Sequence, residues 1–363
     1  MEQKKYTQAE LQAFLEELER QMKNRYDIVV SGNTLSFGTE NGTLRLEVPQ
    51  PDNTFKFHGM TEYFQRQVAR TVGMDYGYYE KCRNRKELQL LCNNVNTWLP
   101  DSEKRLVRVL DNEAIGFLGP NYRCINNYDI AAVVFNTLER MKRETGLVYN
   151  VLRVDLTESH MYIKITSPML TDDILHFKGR GEPIQGGIVI RNTEVGDGAF
   201  VVEPFINVLV CTNGLIRTKI LRKVHRGISQ GLGEIDWSSE VHKKRNEVLW
   251  AELEELITKT FTVETFRNWV REINEKAQVE IPKPTLAVDN VVKHFKLPKT
   301  IINALVDQYV KEQSPTVWGL SMAVTRVAQD QKDYEKQIEM ERIGSDILSM
   351  NPKILMKEIV VEE

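Results

Sequence analysis

Cysteine is scarce in this chain. Its 363 residues hold four, at positions 82, 92, 124 and 211. None forms a C-x-x-C pair or stands beside a histidine at ligand spacing, so a zinc site is not expected. Cys92 and Cys211 lie inside apolar runs, where a buried reduced thiol is the ordinary state. The six histidines are scattered, with no H-E-x-x-H and no pair at helical ligand spacing. No G-x-x-x-x-G-K-[ST] phosphate loop is present. Gly227, Gly231 and Gly233 are followed by no Lys-Ser or Lys-Thr, and read as hinge glycines. No G-x-S-x-G elbow is present either. Neither a metal nor a nucleotide cofactor is expected.

Long apolar runs are also missing. None reaches eighteen residues, so no membrane span is expected. The opening MEQKKYTQAE lacks the apolar core of a signal peptide, which points to the cytoplasm. An excess of positive charge is missing too: 48 Lys and Arg stand against 51 Asp and Glu, a net charge of −3. Any site for a polyanion must then be local, with acids elsewhere offsetting it.

What is present is ordinary globular patterning, 41% hydrophobic and 27% charged. Thr7 and Glu10 make a capping box before Leu11, Phe14, Leu15, Leu18 and Met22 at helical spacing. Short strand signals fill residues 28–46, with Asn41-Gly42 as a turn. Helices follow from Thr61 and over Leu88 to Leu99, with an aromatic connector at 74–79 between them. Strands are expected at Arg105–Leu110 and Ala114–Leu118, then a helix capped by Asn126 and stopped at Gly146. Strands at Leu147–Val154 and Met161–Thr166 pair around Thr157-Glu158-Ser159, and residues 167–185 read as loop. From Val241 onward the pattern is helical. The fold class is therefore α+β: an antiparallel sheet packed by helices, followed by a C-terminal helical region. Three parts are expected: residues 1–58 (helix and small meander), 59–236 (central α+β domain) and 237–363 (helices), with the composition shifting near Trp237.

Gly186 to Arg226 is the most unusual stretch. Ile188-Val189-Ile190 ends at Arg191-Asn192, two glycines turn the chain, and a long apolar strand returns to Cys211. After Thr212-Asn213-Gly214 the next run fills with cations. Arg217, Lys219, Arg222, Lys223 and Arg226 fall within ten residues with no acid among them. Lys243, Lys244 and Arg245 form a second group. Such clusters attract phosphates in a salt-dependent, sequence-neutral way. Arg123 sits in a Gly-Pro-Asn loop entering a helix, where free backbone amides can hold an anion. Arg191 joins the set, and Tyr122 and Tyr162 are candidates to stack on bases.

The segment Gly119-Pro120-Asn121-Tyr122-Arg123, before Ile125-Asn126-Asn127, resembles the S-D-R-Y-R-x-[IL]-D-N segment of a phage- and plasmid-borne family, domain of unknown function 932. The similarity continues through Ile190–Gly196, Cys211–Gly214 and Trp318–Ala328, and covers most of residues 64–344. Pro120-Asn121 stands where the family shows Ser-Asp, and Asn126 where Asp is common, so no acid role carries over at those places. The resemblance implies a mobile-element protein. The strand-strand-helix-strand-strand order from Arg105 to Thr166 is compatible with a distant similarity to single-strand annealing proteins. Those place a helix across a curved sheet and bind DNA in a basic groove of an oligomeric ring. That is an analogy of fold order.

The resulting expectation is a phage-type, non-enzymatic protein that binds or anneals single-stranded DNA as a homo-oligomer. Two other readings stand beside it. One is an oligomeric interaction protein that blocks or recruits a host factor. The other is an enzyme with a metal held by Asp155, Glu158, Asp172 and Asp173, which requires those four acids to converge.

Overall fold

A computed structural model describes residues 6–49, 54–99, 103–120, 122, 124–209, 214–216, 221–224, 239–331 and 334–357. The chain opens with α1 (Gln8–Asn24), started by the expected capping box. Glu10 N–H donates to Thr7 Oγ1, and Thr7 N–H donates to Glu10 Oε2 at 2.8 Å. Then follow β1 (Arg25–Ser31), β2 (Ser36–Glu40), β3 (Thr43–Pro49), β4 (Phe55–Met60), α2 (Glu62–Thr71), α3 (Tyr76–Asn84) and α4 (Leu88–Trp98). Next come β5 (Lys104–Leu110), β6 (Glu113–Leu118), α5 (Asn127–Thr145), β7 (Asn150–Leu156), β8 (His160–Leu175), β9 (Gly181–Thr193) and β10 (Ala199–Val208). The described remainder is β11 (Gly214–Ile216), β12 (Leu221–Val224), α6 (Ser239–Thr260), α7 (Val263–Ala277), α8 (Pro284–His294), α9 (Ile302–Glu312), α10 (Val317–Gln329), α11 (Tyr334–Ser349) and α12 (Pro352–Leu355).

The strands form two sheets. The first runs β1-β5-β6-β4-β3-β2, antiparallel except where β4 meets β6. Its core lies under α2, α3 and α4, where Phe64, Val68, Tyr79, Leu91 and Val95 pack on Leu46, Val107 and Val109. The boundary expected at residue 58 falls inside β4, and one sheet and one core span it. The second sheet runs β11-β10-β9-β8-β7, and β12 pairs with the other end of β10. The shift near Trp237 lies outside the described residues.

The second sheet has two distinct faces because side chains alternate along each strand. Ile163, Ile165, Ile188, Ile190, Val202 and Ile206 face a large core shared with α1, α5, α6, α7 and α10. Tyr162, Lys164, Val189, Arg191, Val201 and Glu203 occupy the opposite face by register. There Ile338 of α11 joins Tyr162, Val189 and Phe205 in a small second cluster. At Gly187 a Cβ would sit 2.0 Å from the Ile165 carbonyl oxygen, which is why this crossing of β8 and β9 requires glycine.

Two local expectations are corrected. The aromatic connector at 74–79 is the start of α3: Asp75 caps it by accepting from Tyr78 N–H at 3.1 Å. Residues 167–185 are not loop but the distal half of the β8–β9 hairpin. The register slips by three residues between Thr166 and Thr171, which leaves exposed Pro168 in a bulge where it need not donate to the ladder. Beyond the bulge, Leu170, Ile174 and Ile184 turn inward beneath Phe266 and Trp269 of α7.

The hairpin tip docks on the α9–α10 junction. His176 Nδ1 lies 3.0 Å from Ser314 Oγ, its ring stacks on Trp318, and the Trp318 indole N–H donates to Glu182 Oε2 at 2.7 Å. Burial, with Arg180 nearby, holds the His176 imidazole below its ordinary pKa. The folded chain therefore resists a proton that the unfolded chain accepts near pH ~6.5. Stability is full above that pH and falls as pH drops towards the depressed value, by at most about 1.4 kcal/mol per pH unit for one imidazole. Urea denaturation from about pH 7 to about pH 5.5 should show this slope, and His176→Gln should reduce it, leaving the share of His58, whose imidazole is also held below its ordinary pKa by burial. An unchanged slope in the variant would remove His176 from the account.

Candidate nucleic-acid interface

The loop after β9 joins the two sheets, and it does so through a carboxylate. α5 begins after Asn126, but the Asn126 side chain does not cap it. Instead Asn126 Nδ2 donates to Asp129 Oδ2 at 3.0 Å. The cap comes from Glu194: Asn127 N–H donates to Glu194 Oε1 at 2.6 Å, and Arg25 Nη1 donates to the same oxygen at 2.7 Å. Arg108 of β5, only 2% exposed, holds Asp27 with two bonds of 2.8 and 2.9 Å and donates to the Glu194 carbonyl at 3.3 Å. Asn192 Nδ2 donates to Ile125 O and Asn127 Oδ1, both at 2.8 Å. Gln67 of α2 accepts from Phe117 N–H and donates to Val195 O at 2.7 Å. Asn192, Glu194 and Val195 are thus occupied in joining β1, β5, β6, α2 and α5. The thiol of Cys124, beside this network, is pushed up to about 12 by burial and stays protonated.

This joint answers one expectation directly. The α5 N-terminus would suit an anion, but the Glu194 carboxylate already fills that place. Tyr122 is half-buried with its hydroxyl inside, and burial raises its pKa. Tyr162 is fully buried, with His160 stacked on it at 5.7 Å. The Tyr162 ring therefore offers no open face to a base. Arg123 lies outside the described residues.

Arg191 is half-buried on β9. It stands opposite Tyr162 on one side and Val201 on the other, and Val201 in turn stands opposite Arg222 of β12. Arg191, Val201 and Arg222 are therefore successive paired positions across β9, β10 and β12, with two strand spacings, or roughly 10 Å, between the first and the last. Lys223 pairs with Phe200. Arg217, Lys219 and Arg226 lie outside the described residues. Lys164, two residues along β8 from Tyr162, is buried and bound to Glu341 at 2.6 Å. On α6, Lys243 is exposed, Lys244 lies 3.8 Å from Glu240, and Arg245 is half-buried.

The four acids of the metal reading do not converge. Asp155 accepts from Arg153 at 2.8 Å, and Glu158 caps α2 by accepting from Tyr63 N–H at 2.8 Å. Asp172 and Asp173 lie on the distal half of β8, about 30 Å along the strand from the partner of Asp155. Among the described residues, no group of three or more His, Cys, Asp or Glu could hold a metal. A cleft of about 240 Å³ beside the joint is lined by Asp111, Glu113, Glu158, Ser159, His160 and Glu194 among others. Asp111, Glu158 and Glu194 are already engaged, Asp111 by Arg20 and Asn24.

Compared with known proteins, this chain matches no family model, no curated protein and no solved structure. Among the described residues no helix is long and apolar enough to cross a membrane.

Proposed function

We propose that this chain binds single-stranded DNA without catalysing a reaction, as a homo-oligomeric protein of a phage or plasmid acting in the host cytoplasm. The observation that carries the reading is the register of β9, β10 and β12, which pairs both Arg191 and Arg222 with Val201. The density of cations from Arg217 to Arg226, and the resemblance of the Arg191–Gly196 segment to a mobile-element family, support it. Charged rows of this kind track a phosphate backbone and are sequence-tolerant. The test is a mobility shift with single-stranded and duplex DNA, for the wild type and for Arg191→Ala with Arg222→Ala. Removing two phosphate contacts should lower the slope of log affinity against log salt by about 1.4. Equal slopes in the two proteins would remove both arginines from the interface.

A further inference from the structure

The outer face of α3 and α4 carries cations and open rings together. The end of α3 and the turn after it carry Lys81, Arg83, Arg85 and Lys86 within six residues. Arg83 is turned inward, bonded to Gln65 at 3.0 Å and 3.7 Å from Glu80, the disposition that a helix C-terminus favours. Lys81, Arg85 and Lys86 are exposed, and none is ion-paired among the described residues. Lys86 also adopts φ +60°, a left-handed conformation more usual for glycine or asparagine.

Two aromatic rings share this face. Tyr78 is 39% exposed and Trp98 50% exposed, unlike the two tyrosines judged above. Tyr78 precedes Lys81 by three positions and Arg85 by seven, so all three lie along one side of α3 and its last turn. Asn94 of α4 donates to the Tyr78 hydroxyl at 3.2 Å, which ties that ring to α4. Trp98 lies one turn beyond Asn94, about 6 Å along the axis. Tyr79, Cys82, Leu91 and Val95 of the same two helices are buried in the first sheet's core and anchor both helices. Exposed Tyr and Trp rings can stack on bases, and Lys81 and Arg85 follow Tyr78 at helical spacing on one side of α3, where they can meet phosphates.

We infer that this face is a stacking platform for single-stranded DNA, in which Tyr78 and Trp98 take bases while Lys81, Arg85 and Lys86 take phosphates. It rests on the DNA-binding reading above and places a second contact surface on the first sheet's lobe.

The test titrates fluorescent oligo(dT) with the full chain at two salt concentrations. Lys81→Glu, Arg85→Glu and Lys86→Glu combined should reduce the salt slope by about 2, since each single-strand phosphate contact contributes about 0.7. Trp98→Ala should weaken binding roughly tenfold at both salts, and Trp98→Phe should restore most of it. All these side chains are exposed, so melting temperatures should match the wild type, and oligo(dT) should quench tryptophan emission less in Trp98→Phe. Wild-type affinity and slope in both sets, with loss in Arg191→Ala plus Arg222→Ala, would overturn the platform and leave the sheet face as the interface. No binding by the wild type at low salt would overturn the DNA-binding reading itself.

Discussion

Glu194→Gln is expected to destabilise the protein by about 3–5 kcal/mol, the usual cost of leaving buried charge without its partner. The Glu194 carboxylate is 9% exposed, as is the side chain of Arg25, and Arg108 is more deeply buried still. A carboxamide keeps the shape but removes the charge that Arg25 faces. It also weakens the acceptor that caps α5. The loss joins two lobes, since Arg25 and Arg108 belong to the first sheet while Glu194 leaves the second. Urea unfolding monitored by fluorescence should show the midpoint falling. Arg25→Met combined with Glu194→Gln should cost less than the sum of the two single changes. A single-variant loss below about 0.5 kcal/mol, the range of ordinary surface changes, would contradict this role.

Lys164→Met should cost a similar amount, about 3–5 kcal/mol, for the same reason. Lys164 Nζ and Glu341 Oε2 are 2.6 Å apart with side chains 8% and 1% exposed. Gln329 and Gln337 also donate to Glu341, at 3.2 and 3.4 Å. The pair fastens α11 over the second face of the sheet, beside Arg342, which bonds Glu203 through Nε at 3.1 Å. Lys164→Met with Glu341→Leu replaces both charges by apolar groups of similar volume. The double variant should lie within about 1 kcal/mol of the wild type, because removing both charges also removes their desolvation cost. A double variant as unstable as the single one would show that α11 needs the ion pair itself.

Much of the fold was legible because its signals are local. The Thr7–Glu10 capping box, the Asn41-Gly42 turn with positive φ, and the Gly146 stop all stand where their residues predict. The distal β8–β9 hairpin was not legible. Pro168 and the exposed acids Asp172 and Asp173 imitate a loop when only α7, about a hundred residues later, reveals the buried side. The cap of α5 was hidden for the same reason. Asp129 sits where it could serve the helix, yet it takes up Asn126, and the capping carboxylate arrives from 67 residues downstream. The candidate site was legible as charge but not as access. Tyr162 alternates as a strand residue should, but burial under His160 and Ile338 depends on contacts no spacing displays. In the sequence the run Lys81–Lys86 is diluted by the neighbouring Glu80 and Glu87. Only the fold shows that Lys81, Arg85 and Lys86 are exposed and not ion-paired among the described residues, with Tyr78 exposed on the same helix.

The most direct measurement of the DNA-binding account is the affinity of the wild-type chain for oligo(dT) at about 50 mM and about 200 mM salt. Contacts from Arg191, Arg222, Lys81, Arg85 and Lys86 predict binding at low salt that falls with a log–log slope of about −3.5, or roughly a hundredfold across that range. A flat salt dependence, or no binding at the lower concentration, would contradict the account.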